Sequence, residues 1–452
     1  MESRDAINSL TDEILAKILS HLPTKRAVST SVLSKRWRNL FPLMNHLFAP
    51  QHHFCLDDSD LLYPEVKIDD TTKARERQQD VHQRFRDFVG KTLSGSNTIK
   101  KLSLKCQDGH ISTDEWIRIA LDKGLVDLDL RLTTSVHHEA ACLLNSLVFT
   151  NKTLVKLTLG IEIGPIIIEI LKVCLPVLKS LVLHGFWFIC EKLCRRMLPG
   201  CPVLEELSLH YYLGGYEHTQ PSSPYLYVSH KTLKKLTVHA NNCVDVCAST
   251  TFDTPSLVYI DYSGHAPLEY EVRTAKPLVS LVEAKLDVDV PEMHRSSVYL
   301  SWIFIWASNV KNLSLSSLTV KEMLRSGMVI PSFVNLVKLS IESNTRQGWQ
   351  VLPDLLYRSP KLETLVLKGL HCIGKEGVYY IGRPSEVKVL EIYGFRGNVG
   401  EFTQTKWFLW HLQFLQVMKV EIDADDDDKK LQLTSDLLAL PKRSSKCQIH
   451  FL

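Results

Sequence analysis

The sequence predicts an α/β solenoid: a small helical module, then a stack of short parallel strands, then a closing segment. Three observations carry this. An apolar-x-x-apolar-x-apolar pattern recurs along most of the chain. Helical apolar periodicity is concentrated in residues 1–50. The chain has 452 residues and 45% hydrophobic content, enough for a substantial core.

The helical module comes first. Ser9 precedes an apolar run and Asp12 follows three residues later, a capping-box spacing that places a helix start near Leu10. Leu10, Ile14, Leu15, Ile18, Leu19 and Leu22 recur at helical spacing, with Asp12, Glu13 and Lys17 between them. Pro23 is expected to end the helix. A second apolar set follows at Ala27, Val28, Val32, Leu33, Trp37, Leu40 and Phe41. A module of about forty residues rarely folds unaided. The surplus apolar surface therefore reads as a docking face for another protein's helices.

The strand pattern begins at Ile99, Leu125, Leu154, Leu178, Leu204, Leu233, Leu257, Leu281, Val310, Leu336, Leu362 and Val387. Successive spacings are 24–29 residues, within the leucine-rich-repeat range of roughly 20–29. LVKLTLG at Leu154 and LETLVLK at Leu362 show the alternation of a short strand with inward second and third apolar positions. One unit cannot bury that face, whereas stacked units give a parallel sheet and a continuous core. Pro176, Pro202, Pro255 and Pro360 each stand two residues before a repeat's first leucine and end the preceding segment. The connecting segments are irregular and predict short helices and loops.

The ends of such a stack need covering. Val81, Phe85, Phe88, Val89 and Leu93 share one helical face, so residues 72–94 read as a helix on the open N-terminal end. Residues 51–71, with Asp57, Asp58, Asp60, Asp69 and Asp70, read as a solvated linker. LQVMKVEI (415–422) and KCQIHFL (446–452) read as two further strands. Asp425–Asp428 between them reads as an exposed acidic turn, open to cleavage after Lys429 by enteropeptidase, whose recognition sequence it spells.

Composition narrows the function. A net charge of +3 argues against general nucleic-acid binding. MESRDAINSL has no apolar stretch, so no secretory signal is expected, and residues 161–190 carry too many charges for a membrane span. The eleven cysteines are irregularly spaced and read as reduced, buried residues of a cytoplasmic or nuclear protein. Cys190 with Cys194 and Cys201, or Cys243 with Cys247, lack the spacing of a metal site. Gly394, Gly397 and Gly400 read as lacking the strand-glycine-helix context of a phosphate loop. No GxSxG or HExxH occurs, and neither cofactor nor metal is expected.

In each repeat the third, fifth and seventh positions point out of the sheet. His184, His210 and His239 occupy the seventh position of three consecutive repeats, with Lys156 and Lys235 nearby. These read either as solvated polar residues or as a band meeting an acidic or phosphorylated target, with a possible pH-sensitive contact. Asp127, Asp129, Glu206, Asp261, Glu283 and Asp287 also fall at outward positions and disfavour general phosphate binding.

Residues 5–47 resemble an F-box of the kind found at the start of plant F-box proteins. Val32-Leu33-Ser34-Lys35-Arg36-Trp37-Arg38 matches the family's "vLSkrWr" segment. Leu10, Asp12, Glu13, Ile14 and Leu15 match its "LPdEiL" opening, with Thr11 in place of the proline. Residues 437–451, LLALPKRSSKCQIHF, resemble the FBD domain that follows leucine-rich repeats in that family, and FVGKTLSGSNTIKKLSLKC resembles its first repeats. The likeness implies a three-helix F-box at 1–50, a linker and capping helix at 51–98, a leucine-rich-repeat horseshoe with a parallel sheet at 99–395, and an FBD-like C-terminal capping domain at 384–452. It implies a non-catalytic substrate-recognition subunit of an SCF-type cullin–RING ubiquitin ligase, partnered by a Skp-family adaptor, a cullin scaffold and a target protein. Leu10, Ile14, Leu15, Leu22, Pro23, Val32 and Trp37 are the expected adaptor contacts, with internal packing an equal alternative for Trp37. Lys156, His184, His210, Lys235 and His239 are the expected target contacts. Two rival readings are a binding scaffold without a ligase and a small-ligand receptor.

Overall fold

The computed structural model describes residues 7, 9–22, 30, 34–47, 53–57, 83, 85–87, 89–107, 112–133, 146–162, 173–185, 197–210, 225–240, 249–266, 278–290, 297–372 and 385–452. The chain divides into two compact units, Met1–Phe188 with Arg195–Leu204, and Ile189–Cys194 with Glu205–Leu452.

In the first unit, α1 (Asp12–Ser20) packs on α2 (Lys35–Leu47). Leu15, Leu19 and Leu40 form their buried core, with Leu10, Trp37, Leu43 and Met44 partly buried against it. The helix starts later than Ser9 and Asp12 suggest. A turn closes from Leu10 N–H to the Ile7 carbonyl, and Thr11 is the N-cap, without a side-chain capping bond. The helix also ends at Ser20, before Pro23. His21 and Leu22 N–H close the last turn onto Ile18 and Leu19 carbonyls.

Five strands of this unit pair in parallel and in chain order: β1 (His53–Asp57), β2 (Lys101–Gln107), β3 (Asp127–Thr133), β4 (Lys156–Glu162) and β5 (Ser180–His184). β1 overturns the expectation of a solvated linker across 51–71. Phe54 and Leu56 are buried while His53 and Cys55 are exposed, and Asp57 meets Lys105 at 3.5 Å. Helical residues within 83–95 are therefore the crossover from β1 to β2 rather than a cap on an open end. Phe85, Val89 and Leu93 are buried. Phe85 packs edge-on against Trp116 of α3 (Ser112–Asp122), and Lys123 Nζ donates to the Leu93, Ser94 and Ser96 carbonyls. Val81 and Phe88 lie outside the described residues.

The second unit carries β6 (Glu206–His210), β7 (Tyr225–Ser229), β8 (Lys235–His239), β9 (Ser249–Asp253), β10 (Tyr259–His265), β11 (Glu283–Asp289), β12 (Asn312–Leu315), β13 (Lys338–Glu342), β14 (Thr364–Lys368), β15 (Val389–Phe395), β16 (Val417–Ile422) and β17 (Gln448–Phe451). β7 and β9 form a separate parallel pair that the repeat pattern does not announce. The other ten run in parallel, each beside the next.

Each of the repeat positions read from the sequence is followed two residues later by a strand: Leu154 by Lys156, Leu362 by Thr364, Val387 by Val389. Leu154, Leu157 and Leu159 are all buried, and the other units repeat this. The entry is shared too. Val155 and Lys156 N–H both donate to the Val126 carbonyl, and Lys179 and Ser180 N–H to that of Val155. Between strands lie short helices, including α4 (Ser297–Trp306), α5 (Ser317–Ser326) and α6 (Leu352–Tyr357), or single turns.

The closing segment continues the same ladder. α7 (Val399–His411) connects β15 to β16, and α8 (Asp427–Leu438) connects β16 to β17. The acidic run is a helix start rather than a turn. Asp426 caps α8 by accepting from Lys429 N–H at 2.6 Å, and Asp427 and Asp428 occupy its first turn. Carboxylates there interact favourably with the helix dipole, which offsets their mutual repulsion. Among the described residues no helix is long and apolar enough to cross a membrane.

Candidate functional site

The exposed face of the helical module is built on α1. Leu15 and Leu19 turn inward, so Ile14 and Ile18, four residues apart, turn outward. Each is 47% exposed, and Ile7 and Leu22 lie exposed at 56% and 40%. Four large aliphatic side chains in one short segment form an apolar surface that water covers at a cost.

The expected adaptor contacts divide. Ile14 and Leu22 are exposed. Leu15 is a correction: it is fully buried in the α1–α2 core and presents no surface. Leu10 and Trp37 pack partly buried against that core. Pro23 and Val32 lie outside the described residues. Ile7 and Ile18 are additions. Ile18 was legible from its four-residue spacing to Ile14. Thr11 sits at φ −70°, the angle a proline would impose, so the departure from the "LP" opening keeps the same helix entry.

The outward strand face supplies a second constellation. His210 and His239 are cross-strand partners whose rings meet edge-on at 5.0 Å. His239 Nε2 lies 3.3 Å from Asp261 Oδ1, and Tyr259 Oη donates to Asp261 Oδ2 at 3.2 Å. Lys235 Nζ stands 5.4 Å from the Tyr259 ring centre, and Lys285 Nζ 5.5 Å. Two ammonium groups on one ring form paired cation–π contacts. Burial tends to raise the Asp261 carboxyl, but the hydrogen bonds and charges of His239, Tyr259 and Lys285 outweigh it and hold it below the ordinary range. Burial pushes the Tyr259 phenol up. The hydrogen bond with Tyr259 raises the Lys285 ammonium.

Of the expected target contacts, Lys235, His210 and His239 share this cluster in the second unit. Lys156 and His184 belong to the first unit, on adjacent strands but in different rows, since Lys156 pairs with Ser180 and His184 with Gly160. The sequence reading missed Tyr259 and Lys285 and placed Asp261 only as an outward acid. His239 therefore already faces a carboxylate of its own chain.

Between β15 and α7 a strand-glycine-helix junction does exist, contrary to expectation: Gly394 and Gly397 adopt φ +68° and +80°, and Asn398 caps the helix. Its donors are already occupied. The fully buried Glu401 accepts from the N–H groups of Arg396 and Asn398 in a complete capping box. The chain thus supplies its own acceptor where a phosphate loop would leave the place open. Among the described residues no group of three or more His, Cys, Asp or Glu is placed to hold a metal ion. Cys190, Cys194, Cys243 and Cys247 lie outside them. The Cys201 thiol is pushed up to about 12 by burial and by Cys174.

Comparison with known proteins matches both parts. The F-box domain model covers residues 7–47, and a model described as the LRR repeats of FBD-associated F-box protein At5g56370 covers residues 113–260. The putative F-box/LRR-repeat protein At5g25860 of Arabidopsis thaliana is 55% identical over 100% of this chain and 98% of its own length. The Arabidopsis F-box/LRR-repeat protein At3g60040 is 39% identical over 99% of this chain and 97% of its own. A helical N-terminal module joined to a leucine-rich parallel sheet is the architecture of an F-box protein with repeats. The chain belongs to the plant F-box/LRR-repeat family.

Proposed function

We propose that this protein is a non-catalytic substrate-recognition subunit of an SCF-type cullin–RING ubiquitin ligase. The observation that carries this is the exposed aliphatic stripe of Ile7, Ile14, Ile18 and Leu22 in the segment matching the F-box. It suits burial against helices of a Skp-family adaptor, and through it the chain is held on a cullin. The outward strand face binds the target protein, through His210, Lys235 and His239 with Tyr259, Asp261 and Lys285, and through Lys156 and His184 of the first unit. Ubiquitination then follows from tethering, which raises the effective concentration of target lysines beside the conjugating enzyme. The F-box comprises residues 1–50, and residues 384–452 form an FBD-like end. The protein works in the cytoplasm, the nucleus or both.

The test is co-purification of the full chain with a Skp-family adaptor. Ile14→Asp with Ile18→Asp places two carboxylates on a face that binding desolvates, at a cost of several kcal/mol. Loss of the adaptor from the variant is expected. Undiminished recovery would reject the docking assignment.

A further inference from the structure

Two depressions adjoin at the carboxyl ends of β12–β15, all within the second unit. The first has a volume of about 300 Å3 and is lined by Lys368, His371, Tyr393, Asn344 and Glu342, among others. The second, about 260 Å3, is lined by Lys321, Asn344, Thr345 and the first residues of α5. Asn344 belongs to both, so they form one groove. Crevices at the carboxyl ends of parallel strands are a general place for ligands.

The walls of the first depression are built, not incidental. Gly369 adopts φ +82°, and a β-carbon there would run into the Ser343 carbonyl oxygen. Ser343 is buried, its hydroxyl donates to the Thr345 carbonyl at 2.8 Å, and its N–H donates to the Lys368 carbonyl at 3.0 Å. Asn398 Nδ2 donates to the His371 carbonyl at 2.8 Å. The groove is thereby tied to the buried framework on two sides.

Its two lysines stand outside ion pairs among the described residues. On neighbouring strands Lys388 and Lys419 are paired with Glu363 and Glu391 at 2.7 and 2.9 Å. Among the described residues Lys321 and Lys368 make no ion pair, and Lys368 Nζ rests 5.9 Å over the Tyr393 ring. His371 Nδ1 is buried without a hydrogen-bond partner among the described residues. The first turn of α5 carries no acidic side chain of its own, but its N-cap Ser316 donates to Asp287 Oδ1, so the positive charge at this end of the groove is that of Lys321. Among the described residues Glu342, the register partner of Lys368, is the only carboxylate lining either depression.

We propose that this groove binds an acidic peptide segment of the target, one carboxylate beside Lys368 and His371 and another beside Lys321. The Glu342 carboxylate makes the first depression better suited to a singly charged group than to a doubly charged one. The proposal rests on the reading of the repeats as a target-binding region, and names the chemistry of that target.

The experiment is fluorescence polarisation of the full chain with labelled hexaglutamate and hexaglutamine peptides. Hexaglutamate is expected to bind about tenfold tighter. Lys321→Gln with Lys368→Gln should remove that preference. Lys311→Gln with Lys361→Gln makes the same change in net charge away from the groove and should keep it. Asn344→Trp fills the shared wall without changing charge and should abolish binding. Equal binding of the two peptides, equal loss in the Lys311/Lys361 control, or retained binding in Asn344→Trp would each overturn the proposal. Adaptor co-purification of the same variants should be unchanged, so failure here is distinguishable from failure of F-box docking.

Discussion

Arg36 Nε donates to Asp12 Oδ1 at 2.7 Å, and its Nη2 donates to the Leu10 carbonyl. One guanidinium from α2 thus holds both the Leu10 carbonyl, just before the N-cap Thr11, and the first side chain of α1. The "LSKRW" and "LTDEI" strings, separated in sequence, meet through this contact. The charged pair is 34% and 50% exposed, so its Coulombic share is small and screened. The carbonyl bond fixes where α1 begins.

Arg36→Ala should therefore loosen the start of α1 by about 1 kcal/mol, with Asp12→Asn costing less. Hydrogen exchange of the Leu15 to Leu19 amides in the full chain reads this directly. Equal protection in wild type and Arg36→Ala would show that the contact contributes nothing.

Leu15 and Ile14 are neighbours with opposite roles. Leu15→Ala empties a fully buried site and should destabilise the module by about 2–4 kcal/mol. Ile14→Ala, on a half-exposed side chain, should cost about 1 kcal/mol or less and weaken adaptor binding instead. Paired unfolding and adaptor-binding measurements separate the two. A reversed ranking would move the docking face to another side of α1.

Glu401 predicts a pH dependence. Burial pushes its carboxyl above the ordinary 4.5, partly opposed by the N–H groups of Arg396, Asn398 and Gly397 and by His371. The folded chain holds this proton to higher pH than the unfolded chain. Its stabilising contribution is complete below the unfolded value and lost as pH rises through the folded one. Denaturation midpoints of wild type should fall, relative to Glu401→Gln, as pH rises from the ordinary carboxylate range. Parallel curves would contradict the shift.

Cysteine reactivity should follow burial. Cys55 is exposed, whereas Cys201 is buried and its thiol stands near 12. At pH 8 iodoacetamide should modify Cys55 in the native protein and leave Cys201 untouched. Peptide mass spectrometry checks this, and early labelling of Cys201 would show that its segment opens.

Enteropeptidase should cut after Lys429 in unfolded chain and spare the native one. The Asp run is folded into the capped start of α8, and a protease needs several extended residues. Prompt native cleavage would restore the acidic turn expected from sequence.

The repeats were legible because their first, fourth and sixth positions are apolar for a reason the chain cannot vary: Leu154, Leu157 and Leu159 stack on the same three positions of the next strand. β1 was not, since His53-Phe54-Cys55-Leu56-Asp57 lacks the leading leucine and runs into acidic residues. β7 and β9 were not, since they pair with each other and lack the apolar-x-x-apolar-x-apolar pattern. On α1 the apolar period was legible but not its direction, because Ile14 and Leu15 are both aliphatic and only α2 decides which turns inward. The pairing of His210 with His239 was legible from their shared seventh position. Its chemistry was not, because Asp261 and Tyr259 reach it from a neighbouring strand, 22 and 20 residues further on.

The place of β1 has a mechanical consequence. With 51–71 as a linker, the F-box would swing on a tether of some twenty residues. Instead α2 ends at Leu47 and the sheet begins at His53. The six backbone steps between them reach at most ~20 Å when fully extended. Whatever grips α1 is thus leashed closely to the first strand of the sheet. In the proposed ligase, the short link from the gripped helix to the sheet limits how far those two can separate.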